Sequence, residues 1–139
     1  VIRWTYIDTS AAVKLFRTEP HSDPFDRWLD EHAESRPITS DLTRTELRRA
    51  LHAAGSDERT WRSAESWIDH TALIRLTPDL CNAAGRLGTG TTLRSLDAIH
   101  VAAALQLQAF LDAFVTYDKR LADTAAACDL PVACPGADC

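Results

Sequence analysis

Methionine is absent from this 139-residue chain, which opens on Val1. A non-standard start codon or a trimmed end would each account for that, and neither bears on mechanism. No apolar run approaches the roughly 20 residues needed to cross a bilayer, and the opening "VIRWTYIDTS" lacks the layout of a signal peptide. The expectation is a cytoplasmic protein with no membrane partner. Among Cys81, Cys128, Cys134 and Cys139 there is no C-x-x-C pair, and no histidine lies near the last three. That spacing, with the reducing conditions expected of a cytosolic chain, argues against a zinc site or a disulfide framework, and the cysteines read as buried or tail thiols without a role, the tail ones open to oxidation in vitro. Positive charge is short as well. A formal net charge of −5 argues against nucleic-acid binding by bulk charge, although not against a site where bound cations reverse the local sign.

What is present suits a folded domain. The chain is 45% hydrophobic and 25% charged, and residues 1–139 are expected to form one domain around one core. Short β-branched or aromatic stretches predict strands at 3–7, 36–40, 72–76, 113–117 and 131–133. Helical spacing predicts helices over 9–16, 22–34, 40–55, 56–70, 77–88, 95–107 and 118–127, with Pro24 and Pro78 near two starts and Gly55 at one end. "GTGTTLR", residues 88–94, is the one clear loop. Beyond it "SLDAIHVAAALQL" is apolar almost all round, which predicts a helix buried within the domain, with Ser95 as its N-cap. Strands alternating with helices predict βαβ units, hence a mostly parallel sheet covered on both faces, with a ligand site beyond the carboxyl ends of its strands.

Four acidic residues stand out within that frame. Asp8 follows the first strand in "YIDTSAAVKL", and Asp118 follows "FVTY" in the same way, so two strands deliver aspartates to one edge of the sheet. Asp97 stands in the first turn of the apolar helix, and Glu46 on the border of the apolar stripe of the third helix. Each has a plainer reading: helix capping for Asp8 and Asp118, the helix dipole for Asp97, ordinary surface for Glu46. Gathered in one cleft, however, carboxylates repel and take up protons unless a cation joins them. An all-oxygen set without Cys or His suits Mg2+ or Mn2+ rather than Zn2+.

The runs "YIDTSAAVKL", "TRTELRRAL", "SLDAIHVAAAL" and "FVTYDKRLADTA" resemble, in order and over nearly the whole chain, the PIN-domain ribonucleases, especially the VapC-type toxins of bacterial toxin–antitoxin pairs. The resemblance implies an α/β fold, a PIN-like three-layer α/β/α sandwich with a short, mostly parallel central sheet. It implies an endoribonuclease dependent on Mg2+ or Mn2+, whose catalytic and metal-binding residues fall on Asp8, Glu46, Asp97 and Asp118, with Thr116 close behind them. Hydrolysis of RNA, a transfer or ribosomal RNA, would leave a 5′-phosphate and a 3′-hydroxyl and stop translation. Two Mg2+ ions would move the formal charge from −5 to −1. The implied partners are the RNA substrate and a cognate VapB-type antitoxin, in a homodimer, heterotetramer or larger assembly, with an antitoxin arginine competing for the acidic site.

Lys14, Arg17, Arg94, Lys119 and Arg120 are the basic residues placed to hold an RNA backbone, Arg94 first among them because its loop can bring it over the scissile phosphate. His100, one turn after Asp97, reads as a histidine satisfied within a packed helix and is left out of the site. Trp61 and Ile68 read as core. The C-terminal "CDLPVACPGADC" matches nothing assignable. Among rivals, a haloacid-dehalogenase-type phosphatase needs a second aspartate where Ser10 stands, and a receiver domain needs paired acids after the first strand. A non-catalytic PIN-like module that binds RNA or protein would keep these acids as caps, but capping does not explain Glu46 inside its helix.

Overall fold

The strand predictions resolve, in a computed structural model describing residues 1–88 and 92–139, into one short sheet whose pairings are all parallel among the described residues. Its strands are β1 (Trp4–Ile7), β2 (Arg36–Ser40), β3 (Ala72–Ile74), β4 (Leu111–Val115) and β5 (Val132–Ala133), in spatial order β3-β2-β1-β4-β5. The helices are α1 (Thr9–Val13), α2 (Ser22–Glu31), α3 (Asp41–Ala53), α4 (Glu58–His70), α5 (Pro78–Gly85), α6 (Ser95–Leu105) and α7 (Lys119–Ala127). Side chains alternate along a strand. Tyr6, Ile38 and Phe114 therefore enter one apolar layer with α5, α6 and α7, while Ile7, Ala113 and Val115 enter the other with α1 to α4. The result is the three-layer α/β/α sandwich expected.

This topology fixes where a ligand can bind. The chain winds outward from β1 through β2 to β3, then crosses back to place β4 on the other side of β1. The crevice between diverging connections opens beyond the carboxyl ends of β1 and β4. Asp8 and Thr116 are the first residues past those two ends.

The buried character of α6 follows its composition. Ala98 and the run His100 to Ala104 are buried, and small side chains let this helix lie close to the sheet. Gly55 follows α3 at φ 74°, the left-handed position a glycine tolerates after a helix end. One cap and several element bounds differ from expectation. Ser95 is the first helical residue rather than the cap; Arg94 occupies that position with no side-chain cap bond. β4 begins two residues earlier than predicted and stops at Val115, because Thr116 and the Tyr117 amide turn to bond Asp8 and Ser10. The predicted loop at 88–94 includes residues 89–91, which lie outside the described residues.

The tail also corrects the reading of the thiols. Cys134 and Cys139 form a disulfide, while Cys81 and Cys128 are free. The spacing rules that argued against a framework do not forbid a single bridge closing a short turn. That turn packs on the body: the Tyr117 hydroxyl donates to the Pro135 carbonyl at 2.8 Å, and Gly136 sits at φ 85°. A Cβ at Gly136 would come within 2.7 Å of the Pro24 Cβ. Gly136→Ala is accordingly expected to lower stability by about 1–2 kcal/mol, read from urea unfolding.

Candidate active site

Asp8 is only 2% exposed although it is charged. Its Oδ1 accepts the Ala11 amide at 2.9 Å and the Ser10 hydroxyl at 2.8 Å, and its Oδ2 accepts the Thr116 hydroxyl at 2.5 Å. Asp8 therefore does cap α1. The cap alone does not account for the rest. Ser10 Oγ also accepts the Tyr117 amide at 2.9 Å and Thr116 Oγ1 the Asp118 amide at 3.1 Å, so two hydroxyls, one half-buried and one buried, tie Asp8 to the chain leaving β4. Burial pushes the Asp8 carboxyl above its ordinary pKa; the electrostatic attraction of His100 and the bonds from Thr116, Ala11 and Ser10 oppose this without cancelling it. The Tyr117 phenol, buried and then facing the Asp8 charge, is pushed up to about 12.

Glu46 projects from α3 toward the same end of β1. Its Oε1 accepts Thr9 Oγ1 at 2.6 Å and lies 2.6 Å from His100 Nε2. Burial raises the Glu46 carboxyl more than any other single effect, yet its bond and electrostatic attraction to His100, with the Thr9 bond, together carry it below its ordinary value. His100 is 2% exposed, and its Nδ1 meets the Tyr6 hydroxyl at 2.8 Å. The expectation that His100 is a satisfied, packed histidine is met. Its exclusion from the site is not, since it touches Glu46 directly.

Asp97 and Asp118 complete the group from α6 and α7. Asp118 Oδ1 accepts the amides of Arg120 at 2.9 Å and Leu121 at 3.1 Å, capping α7. No hydrogen bond to the Asp97 carboxyl is found among the described residues. Partial burial pushes Asp97 above its ordinary pKa; the charges of Asp118 and Glu46 add to this, and His100 and Arg94 oppose it. The four acidic residues chosen from sequence thus lie toward one end of the sheet, and Asp97 feels the charges of Asp118 and Glu46.

The raised Asp97 pKa has a thermodynamic consequence. The folded state holds that proton more tightly than the unfolded chain, so stability falls as pH rises from the ordinary carboxylate pKa through the raised one. Near neutrality the metal-free protein carries this penalty in full. Asp97→Asn removes it, and calorimetry is expected to show a Tm higher by about 1–3 °C at pH 7, with the gain vanishing near pH 3.

These side chains suit a hard cation in kind. All four carry carboxylates, Asp97 lacks a competing hydrogen bond, and one oxygen each of Glu46 and Asp118 is left over by the bonds above. Among the described residues no three of Asp, Glu, His and Cys stand close enough to enclose one ion. Mg2+ does not require that, because it is commonly held by one or two carboxylates, with waters and substrate oxygens supplying the remainder.

The basic residues separate. Lys14 is withdrawn, contrary to expectation: its side chain is 9% exposed, its Nζ donates to the Pro20 carbonyl at 2.7 Å, and it lies 4.6 Å above the Tyr117 ring. Arg17 is paired with Glu19 at 3.0 Å. Lys119 is exposed and 3.7 Å from Asp123. Arg94 and Arg120 line, with Asp97, Thr92, Asp123 and Thr124, a cleft of about 190 Å3. A larger groove of about 390 Å3, where Arg48 covers the Trp61 ring, lies away from the carboxylates between α3 and α4.

The sequence alone assigns no role to Thr9, Ser10 and Tyr6, and His100, weighed there, is set aside. The adjacent hydroxyls in "DTS" were a usable signal for the first two. Nothing local marks Tyr6 and His100, whose contact spans 94 positions.

Comparison with known proteins agrees with this fold. A family model described as the PIN domain matches residues 5–127. The chain is 40% identical over 134 residues to Ribonuclease VapC47 of Mycobacterium tuberculosis (strain CDC 1551 / Oshkosh), covering 95% of this chain and 97% of that one. It is 41% identical over 137 residues to Ribonuclease VapC35 of Mycobacterium tuberculosis (strain ATCC 25618 / H37Rv), covering 94% and 96%. Among solved structures, VapBC2 from Rickettsia felis bound to a promoter DNA fragment aligns with TM-score 0.73 at 15% identity, over 94% of this chain and 98% of that one. VapC20 of Mycobacterium tuberculosis, a Sarcin-Ricin loop cleaving toxin, aligns with TM-score 0.71 at 19% identity, over 88% and 94%. At such identities these structural likenesses speak for the fold.

Proposed function

This chain belongs to the PIN-domain family, among relatives named as VapC ribonucleases, and on that premise we propose that it is a divalent-cation-dependent endoribonuclease, the toxin of a toxin–antitoxin pair. The observation that carries the reading is the convergence of Asp8, Glu46, Asp97 and Asp118 at the carboxyl ends of β1 and β4. Burial there, reinforced by the charges of Asp118 and Glu46, raises Asp97, a setting that a cation would relieve. Bound Mg2+ or Mn2+ would polarise the scissile phosphate and lower the pKa of a water nucleophile.

The chain's own groups have distinct tasks. Asp8 is locked in orientation by Ser10, Ala11 and Thr116, so its carboxylate is presented without rearrangement. Asp97, free of hydrogen bonds among the described residues, is the carboxylate able to turn toward an arriving ligand. Thr116 couples Asp8 to the Asp118 backbone and keeps the two in register. Arg94 and Arg120 flank the cleft beside Asp97, where they would meet RNA phosphates. Arg94→Ala is expected to reduce the slope of log affinity against log salt by about 1, measured by RNA titration at several salt concentrations.

The relatives' names carry the rest. The Rickettsia felis structure is a VapBC complex, and by analogy this chain would act in the cytoplasm as a homodimer restrained by a VapB-type antitoxin. Its target would be a transfer or ribosomal RNA. The test is incubation of the purified, antitoxin-free chain with total cellular RNA in Mg2+ or Mn2+ against EDTA, followed by sequencing of new 5′ ends. Discrete, metal-dependent cuts support the enzyme. Their absence from a folded, antitoxin-free protein would favour the non-catalytic binding module instead.

A further inference from the structure

We infer that His100 is a positioning residue: the Tyr6 hydroxyl at Nδ1 sets its tautomer, and its Nε2–H holds one oxygen of Glu46, leaving the other for a cation. This inference rests on the proposed function, which supplies the cation.

The donor inventory leads there. Glu46 lies well inside α3, where it caps nothing. As a carboxylate it can only accept, so the nitrogen 2.6 Å from Oε1 carries a hydrogen. In a neutral imidazole the other nitrogen is then bare and must accept. Facing it at 2.8 Å is the Tyr6 hydroxyl, a donor. Neither ring can turn away: Tyr6 is fully buried and stacked on Phe114 with centroids 5.2 Å apart, and His100 is held edge-on to Tyr6 at 5.9 Å. Thr9 donates to the same Oε1 at 2.6 Å. Two donors on Oε1 fix the Glu46 side chain and leave Oε2 without a bond among the described residues. Partners of this kind behind a metal ligand orient it and typically change affinity by about 10- to 100-fold.

The direction of the relay makes the inference testable apart from ordinary packing. A glutamine at position 100 carries its amide nitrogen about as far out as Nε2 and can still donate to Glu46. An asparagine reaches only about as far as Nδ1. Both replace a buried imidazole by a buried amide, so a merely structural role would affect both alike.

The experiment uses the full chain, purified and stripped of metal. Imidazole 15N spectra are expected to show His100 with a bare Nδ1 and a protonated Nε2, and Tyr6→Phe to abolish that single-tautomer pattern. Calorimetric titration with Mn2+ is expected to place His100→Gln within about threefold of the parent chain and His100→Asn at least about tenfold weaker. Equal Mn2+ affinity in the two variants, or a protonated Nδ1 in the parent chain, overturns the positioning role. Should neither variant fold, the spectra of the parent chain and of Tyr6→Phe decide. Failure of the parent chain itself to bind Mn2+ overturns the proposed function instead.

Discussion

Asp8→Asn is expected to reduce metal-supported RNA cleavage by at least about a thousandfold while leaving the fold intact. The substitution keeps shape and removes charge. Its carbonyl can still accept the Ala11 amide, and the hydroxyls of Ser10 and Thr116, which both donate and accept, can turn to meet the new amide. Because burial disfavours the charged Asp8, the neutral variant should unfold at no lower a temperature than the parent chain near pH 7. A helix cap with no further task would give the same stability and undiminished cleavage. New 5′ ends counted by sequencing, beside a thermal melt of the same preparation, separate the two, and full activity in the variant would remove Asp8 from the site.

The second large effect is on stability. Mn2+ at about 100 times its Kd is expected to stabilise the folded chain by about 2.7 kcal/mol, a rise in Tm of about 10 °C for a chain of this size, and EDTA should reverse it. The pH dependence has a definite sign. Protons compete with the cation for Asp8 and Asp97, whose pKa values lie above the ordinary carboxylate value in the metal-free protein. The metal-induced gain is therefore full only above those raised values and is lost as pH falls through them. Without metal, these same groups make stability fall as pH rises through that window. Melting curves with and without Mn2+ should converge in acid and separate near neutrality. No separation at pH 7 would contradict cation binding at these carboxylates.

Much of the architecture is legible locally. "RPITS" forms a strand over the predicted span, Pro78 opens α5 and Gly55 follows α3, because strand alternation and helix-end chemistry are settled by neighbours a few positions away. Asp8 and Asp118 each lie just beyond a strand, so a parallel sheet had to bring them to the same edge. Glu46 and Asp97, on helices rather than at strand ends, join them only through the family resemblance.

Other features depend on residues far apart in the chain. Lys14 looks like a surface cation by helical spacing. Only folding sets it over the ring of Tyr117, which arrives from the end of β4. His100 looks like core by its apolar neighbours, and it is core; that it also reaches Glu46 depends on α6 lying against α3 across 54 positions of sequence. The order of strands and helices and the shared edge of Asp8 and Asp118 are written in the sequence, since they follow from local periodicity and parallel pairing, while four motifs carry the family. The tertiary structure decided which cations remain available, which oxygens of those carboxylates are already bonded, and that Tyr6 and His100 stand behind Glu46, since hydrogen-bond geometry is set only when distant elements pack.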